Sequence, residues 1–214
     1  MNKGLFITVE GAEGVGKSTN IAFIRDALES KGLEVIVTRE PGGTEMAEEI
    51  REVLLKNRSE NVAESAELLL MFAARAQHIE SLIKPALLQG KWVISDRFTD
   101  ATYAYQGGGR GVSANKIGIL EDFVQGSFRP DKTILLDAPV ELGMARAQKR
   151  GELDRFENEK LAFFDKVRRV YLERVKAEPK RFELIDASKS LEEVQVQLKN
   201  VLEKIVDGIV NSIK

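Results

Sequence analysis

The chain contains no cysteine, so no disulfide framework and no thiolate metal site can form; this fits a reducing, cytoplasmic setting. No apolar run approaches the roughly 18 residues needed to cross a bilayer, so no membrane span or membrane partner is expected. No signal-peptide pattern precedes the first strand-like run. Charge is not skewed to one sign: 32 Lys and Arg stand against 34 Asp and Glu, a net charge of −2, which gives no reason to expect nucleic acid as a partner. No internal repeat, low-complexity tract or interdomain linker interrupts the 214 residues. That length suffices for one α/β domain with a sizeable core, residues 1–214.

Five short apolar runs read as buried strands: Leu5 to Val9, Glu34 to Thr38, Trp92 to Ser95, Thr133 to Leu136 and Phe182 to Ile185. Helical patterns alternate with them, at Ser18 to Ser30, Thr44 to Leu55, Ser65 to Gln89, Ser113 to Gln125, Val140 to Lys149, Glu159 to Ala177 and Leu191 to Ile213. The alternation predicts a five-stranded parallel sheet with helices on both faces. Pro85, inside the longest helical run, predicts a kink or break there. Ligands of such sheets bind beyond the carboxyl ends of the strands, so the residues following each strand are the candidates for function.

After the first strand comes Gly11-Ala12-Glu13-Gly14-Val15-Gly16-Lys17-Ser18, followed by Thr19. It matches G-x-x-x-x-G-K-[ST] between a strand and a helix, the setting a phosphate-binding loop requires. The glycines let backbone N–H groups surround a β-phosphate, Lys17 supplies a point charge, and the Ser18 hydroxyl is suited to Mg²⁺. The motif implies a bound nucleoside triphosphate without saying where its phosphate goes.

The second strand leads into Arg39-Glu40-Pro41-Gly42-Gly43-Thr44, a compact loop whose Thr44 is suited to cap the next helix, although Ala47 leaves the capping box incomplete. The third leads into Ser95-Asp96-Arg97-Phe98, which offers a carboxylate for a metal-bound water or a proton and a planar guanidinium for a phosphate. The following loop, Thr99 to Gly111, carries Thr102, Tyr103, Tyr105 and Gln106, suited to reading a nucleoside, and glycines that permit mobility or close backbone approach. Phe72 and Arg75 are three apart on one helical face, suited to stacking on a base and donating to its carbonyl; periodicity alone also fits Phe72 as core. His78, the sole histidine, reads as a surface or packing residue. Arginines and a glycine at about 146–158, among them Arg146, Arg150 and Arg155, read as a lid that neutralises charge on a γ-phosphate and excludes water, because the phosphate-binding loop has no arginine of its own.

Taken together, GAEGVGKS at 11–18, REPGGT at 39–44, LLLMFAARAQHI at 68–79, DRFTDATYAYQGGGRG at 96–111, PDKTILLDAP at 130–139 and RGELDRFE at 150–157 resemble thymidylate kinase, in the bacterial form whose lid carries the arginine. The resemblance runs from about residue 6 to 187. It implies a P-loop NTPase fold and the phosphorylation of dTMP by ATP with Mg²⁺. Lys17 and Ser18 would hold ATP phosphates and Mg²⁺, with Asp96 near the metal. Glu13 would face the deoxyribose 3′-hydroxyl. Arg97, helped by Arg39, would hold the acceptor phosphate. Phe72 would stack on thymine, and Arg75, Thr102 and Gln106 would read its polar edge. Tyr105 would crowd a 2′-hydroxyl. Arg150 and Arg155 would close over the transferred group. Phe98 is a departure, since relatives often carry His or Tyr there. The family is usually homodimeric. Other readings of the same residues are a different nucleotide or deoxynucleoside kinase, in which Asp96 or Glu13 would serve as base, and a P-loop ATPase switch.

Overall fold

The structure is a computed structural model that describes residues 4–148, 155–156 and 159–212, with side chains to residue 208. Five parallel strands form one sheet in the order β2-β3-β1-β4-β5. They are β1 (Phe6–Glu10), β2 (Val35–Arg39), β3 (Trp92–Asp96), β4 (Lys132–Asp137) and β5 (Phe182–Asp186). Every residue of β1 is buried, as its central place demands: Ile7 lies in register with Ile94 on one side and Lys132 on the other. The chain builds outward to β2 and back to β3 on one side of β1, then crosses to β4 and β5. The carboxyl end of β1 therefore lies at the switch point where ligands of such sheets bind.

Helices α1 (Lys17–Glu29) and α9 (Leu191–Ser212) pack together over one face, where Ile24, Leu28, Leu198 and Leu202 join Ile7 and Ile134 in one apolar cluster. α2 (Glu45–Leu55) starts at Thr44, whose hydroxyl accepts the Ala47 N–H. α1 has no such cap. Its N-cap is Gly16 in the left-handed region, no acid stands in its first turn, and its leading N–H groups are left for an anion.

The predicted long helix is α3 (Glu64–His78), a π-helical turn (Ile79–Ile83) and α4 (Lys84–Leu88). The interruption lies just before Pro85, which has no N–H with which to continue the i to i−4 ladder; the Lys84 N–H instead reaches back five residues to the Ile79 carbonyl. Val140–Gln148 is α7 and Leu161–Ala177 is α8.

The segment read as a Gly-rich loop is mostly helical. α5 (Thr99–Thr102) runs into a second π-helical turn (Tyr103–Gly109), and α6 (Ala114–Gln125) follows. Three glycines in sequence argue against a helix, but packing against α8 overrides that. A Cβ at Gly108 would stand 2.9 Å from the Lys166 carbonyl oxygen, and one at Gly109 2.3 Å from the Phe163 ring. Of the two uses anticipated for these glycines, close approach is the one observed.

Candidate active site

Two adjoining clefts open at the carboxyl ends of β1, β2 and β3. The first is bordered by the phosphate-binding loop, with Lys17, Ser18 and Thr19, together with Arg39, Asp96 and Arg146. The second is more apolar, bordered by Leu55, Met71, Arg75, Thr102, Tyr105, Gln106 and Phe156. Glu13 and Arg97 border both.

In the first cleft the Lys17 ammonium donates to the Gly11 and Ala12 carbonyls at 3.2 and 3.1 Å. Burial and the neighbouring Arg97 charge pull its pKa below the ordinary lysine value. Those carbonyls are weak partners that a phosphate can replace. The Ser18 hydroxyl is exposed to the cleft, and Asp96 has a buried Oδ1 with no hydrogen-bond partner. A hard cation needs such oxygens alongside phosphate and water ligands, so these two residues fit Mg²⁺. Gly14 lies against α7: a Cβ there would stand 1.8 Å from the Gly143 carbonyl oxygen, so neither an arginine nor any other side chain fits at that loop position.

The hinge between the clefts is Arg97, with φ +69°, which makes it the described non-glycine residue in the left-handed region. Such strain persists only where surroundings hold it. Here the Arg97 N–H donates to the Val9 carbonyl at 3.0 Å, its own carbonyl accepts the Ser95 hydroxyl at 2.7 Å, and the next N–H, of Phe98, donates to Glu10 at 2.8 Å. The guanidinium Nη2 then reaches Glu13 Oε1 at 2.5 Å and the Tyr105 hydroxyl at 2.8 Å, while its buried Nε keeps no partner. Burial pushes the Glu13 carboxyl upward, but the charges of Arg97 and Lys17 and the Tyr105 hydrogen bond outweigh it and bring its pKa down to about 2. Glu13 is therefore an anion at any physiological pH.

Arg75 is fixed by three elements. Its Nε donates to Glu40 at 2.8 Å, its Nη2 donates to Thr102 at 3.0 Å, and its guanidinium lies over the Phe72 and Phe98 rings. Its Nη1 is buried without a partner and available to a ligand carbonyl. Glu40 also takes the His78 ring at 3.0 Å, and the other ring nitrogen meets Thr38 at 2.7 Å. His78 is thus fully buried, and its contacts anchor Glu40.

Other expected residues lie away from the clefts or are engaged by other partners. Phe72 does not border the cleft. It is buried with Leu68 and Ile117 between α3 and α6, and Met71, four residues before Arg75, borders the cleft instead. Positions three and four apart both share a helical face, and the packing of α6 decides which one is core. Arg39 is half exposed and paired with Glu48 at 2.8 Å, so in this structure it serves that carboxylate. Arg155 does not lie over the phosphate-binding loop. Its Nε donates to the Leu54 carbonyl at 2.9 Å and its Nη2 lies 2.7 Å from Glu67, behind the second cleft, which the adjacent Leu55 and Phe156 border. Arg150 and most of the expected lid lie outside the described residues. Phe98 belongs to a ring cluster with Phe6 and Phe128. Glu40, half of the Arg-Glu pair that follows the second strand, borders both clefts, whereas Glu10 and Glu67 were not singled out by the sequence, because a carboxylate's value here comes from partners on other elements.

A cleft built around a phosphate-binding loop and sharing Glu13, Glu40, Arg51 and Arg97 with a second pocket is the geometry of a kinase with two nucleotide substrates. The profile described as thymidylate kinase matches residues 9–198. The chain belongs to the thymidylate kinase family. It is 62% identical to the thymidylate kinase of Hahella chejuensis over 198 residues, 92% of this chain and 95% of that one. It is 56% identical to that of Pseudomonas syringae pv. tomato over 204 residues, 95% and 97% of the two chains. The crystal structure of thymidylate kinase from Ehrlichia chaffeensis superposes with a TM-score of 0.74 at 32% identity, covering 94% of this chain and 99% of that one. As a member of the thymidylate kinase family, the chain is a phosphotransferase of the nucleoside monophosphate kinase kind.

Proposed function

We propose that the chain transfers the γ-phosphoryl group of ATP to dTMP, with ATP phosphates in the first cleft and dTMP in the second. The observation that carries this reading is Arg97: a strained, partly buried arginine that borders both clefts and retains a buried, unpartnered Nε. It is placed to hold the acceptor phosphate beside the donor. That phosphate is already ionised, so no strong general base is needed, and catalysis is positioning plus charge neutralisation.

Lys17 leaves the loop carbonyls for the transferring phosphate, and the loop glycines and the uncapped α1 offer N–H groups to the other oxygens. Ser18 and Asp96 would hold Mg²⁺, which supplies charge neutralisation at the phosphates. Glu13 and Tyr105 stand where the acceptor sugar meets its phosphate, Glu13 as acceptor for a 3′-hydroxyl. Met71 supplies apolar contact for the base. Arg75 offers a donor and Gln106 an amide to its polar edge. The lid arginines Arg150 and Arg155 remain the candidates to neutralise the transferred group, and Arg155 would have to leave Glu67 and the Leu54 carbonyl to do so.

ADP release measured with dTMP, dUMP, dCMP, GMP and thymidine tests the reading. Turnover is expected with dTMP far above dCMP and GMP, and none with thymidine. Turnover with thymidine, or ATP hydrolysis without an acceptor, would point to a deoxynucleoside kinase or an ATPase instead.

We also propose that the chain pairs with a second copy through α3 and α6. These two helices pack together yet leave Leu69, Ile119 and Phe123 exposed, Phe123 by 85%. Sedimentation should give a dimer, and Phe123→Glu a monomer.

A further inference from the structure

Glu67 is 1% exposed, lies in the first turn of α3, and does not border the phosphate-binding loop's cleft. All the partners it has are donors. Its Oε1 accepts the Gln106 amide Nε2 at 2.8 Å and the Arg110 Nε at 3.4 Å, and its Oε2 lies 2.7 Å from the Arg155 guanidinium. Arg110 is further tied to Glu159.

An amide has two faces, one that donates and one that accepts, and nothing intrinsic chooses between them. A carboxylate surrounded by donors accepts only. Gln106 must therefore turn its NH₂ to Glu67, and what it keeps for the cleft is its carbonyl oxygen. Arg75, across the same cleft, keeps a donor. The pair is one acceptor and one donor. Thymine offers the complement, an N3–H donor beside the O4 acceptor. Cytosine offers the reverse, an N3 acceptor beside an amino donor, and would leave buried groups unpaired at both contacts.

We propose that Glu67 is the specificity-setting residue for the acceptor base: without touching substrate, it fixes the Gln106 amide so that the pocket accepts a 4-oxo pyrimidine and rejects a 4-amino one. The inference rests on the reading of Gln106 and Arg75 as base contacts. Because Arg155 shares the carboxylate, Glu67 also ties the segment at 155–156 to the wall that reads the base.

The test compares kcat/KM for dTMP and dCMP in the parent, Glu67→Gln, Glu67→Asp and Gln106→Met, with the KM for ATP and thermal unfolding alongside. Glu67→Gln gives Gln106 a partner that donates as well as accepts, so the amide can turn. The dTMP-over-dCMP preference is expected to narrow by about tenfold or more, with the ATP KM unchanged. Should Glu67→Gln fail to fold, Glu67→Asp, which keeps the charge but withdraws it from Gln106, is expected to narrow the preference as well. A loss that strikes dTMP and dCMP equally marks Glu67 as merely structural and overturns the proposal. If Gln106→Met narrows the preference while both Glu67 variants leave it intact, the base reading stands and the role of Glu67 falls. If Gln106→Met leaves it intact, the base reading itself falls, and the proposal with it.

Discussion

Gly14 and Gly143 meet backbone to backbone, so the phosphate-binding loop rests directly on the helix that leads toward the expected lid. A Cβ at Gly143 would stand 2.4 Å from the Glu13 carbonyl oxygen. Gly143→Ala is therefore expected to push on the loop without touching substrate. Kinetics should show kcat/KM for ATP down by about tenfold or more, with unfolding measurements showing a loss of about 1–3 kcal/mol from overpacking. An unchanged ATP KM would mean that α7 yields and the loop does not depend on it.

Met71 and Phe72 should separate cleanly. Met71→Ala is expected to raise the dTMP KM with little loss of stability, since Met71 borders the acceptor cleft. Phe72→Ala removes a buried ring and should cost about 3–5 kcal/mol of stability. A larger rise in dTMP KM for Phe72→Ala than for Met71→Ala, in protein that remains folded, would return the base contact to Phe72.

Strands and helices were legible because each of these strands is a short apolar run and each break has a local cause. The phosphate-binding loop was legible because one contiguous stretch holds all its parts. The acceptor pocket was not, for a physical reason. Glu40, Glu67 and His78 gain their roles from residues 35 or more positions away, and no local pattern marks a carboxylate that will be buried. The helical turn at Tyr103–Gly109 was hidden by its glycines, whose low propensity says nothing of the α8 surface that selects them.

Glu13 should show its low pKa in stability. A carboxyl held down near 2 favours the fold fully above the ordinary value of 4.5, and the benefit is lost as pH falls through 2. The parent's advantage over Glu13→Gln should be largest above pH 5, on the order of 3 kcal/mol, and shrink toward pH 2–3. Chemical denaturation at several pH values checks this, and a constant gap would show that Glu13 titrates normally. The same variant should raise the dTMP KM.

Glu10 should behave in the opposite sense. Burial, reinforced by the Asp100 charge, pushes its carboxyl up to about 8, against hydrogen bonds from Tyr171 and Phe98. The folded chain then holds a proton that the unfolded chain releases. Its favourable contribution is complete below about 4.5 and is lost as pH rises through 8. Glu10→Gln, which carries no titrating proton, should gain in thermal stability relative to the parent across that window. Parallel melting curves from pH 5 to 9 would show that Glu10 ionises normally.

The Glu13 contact to Arg97 also bears on how the site exists before any substrate arrives. Lys17 and Arg97 are neighbouring cations that repel each other. Glu13 stands in as a resident counter-ion, and an incoming acceptor phosphate exchanges with it for the guanidinium rather than meeting bare charge. Filling the site then changes which anion Arg97 holds more than how much charge surrounds it.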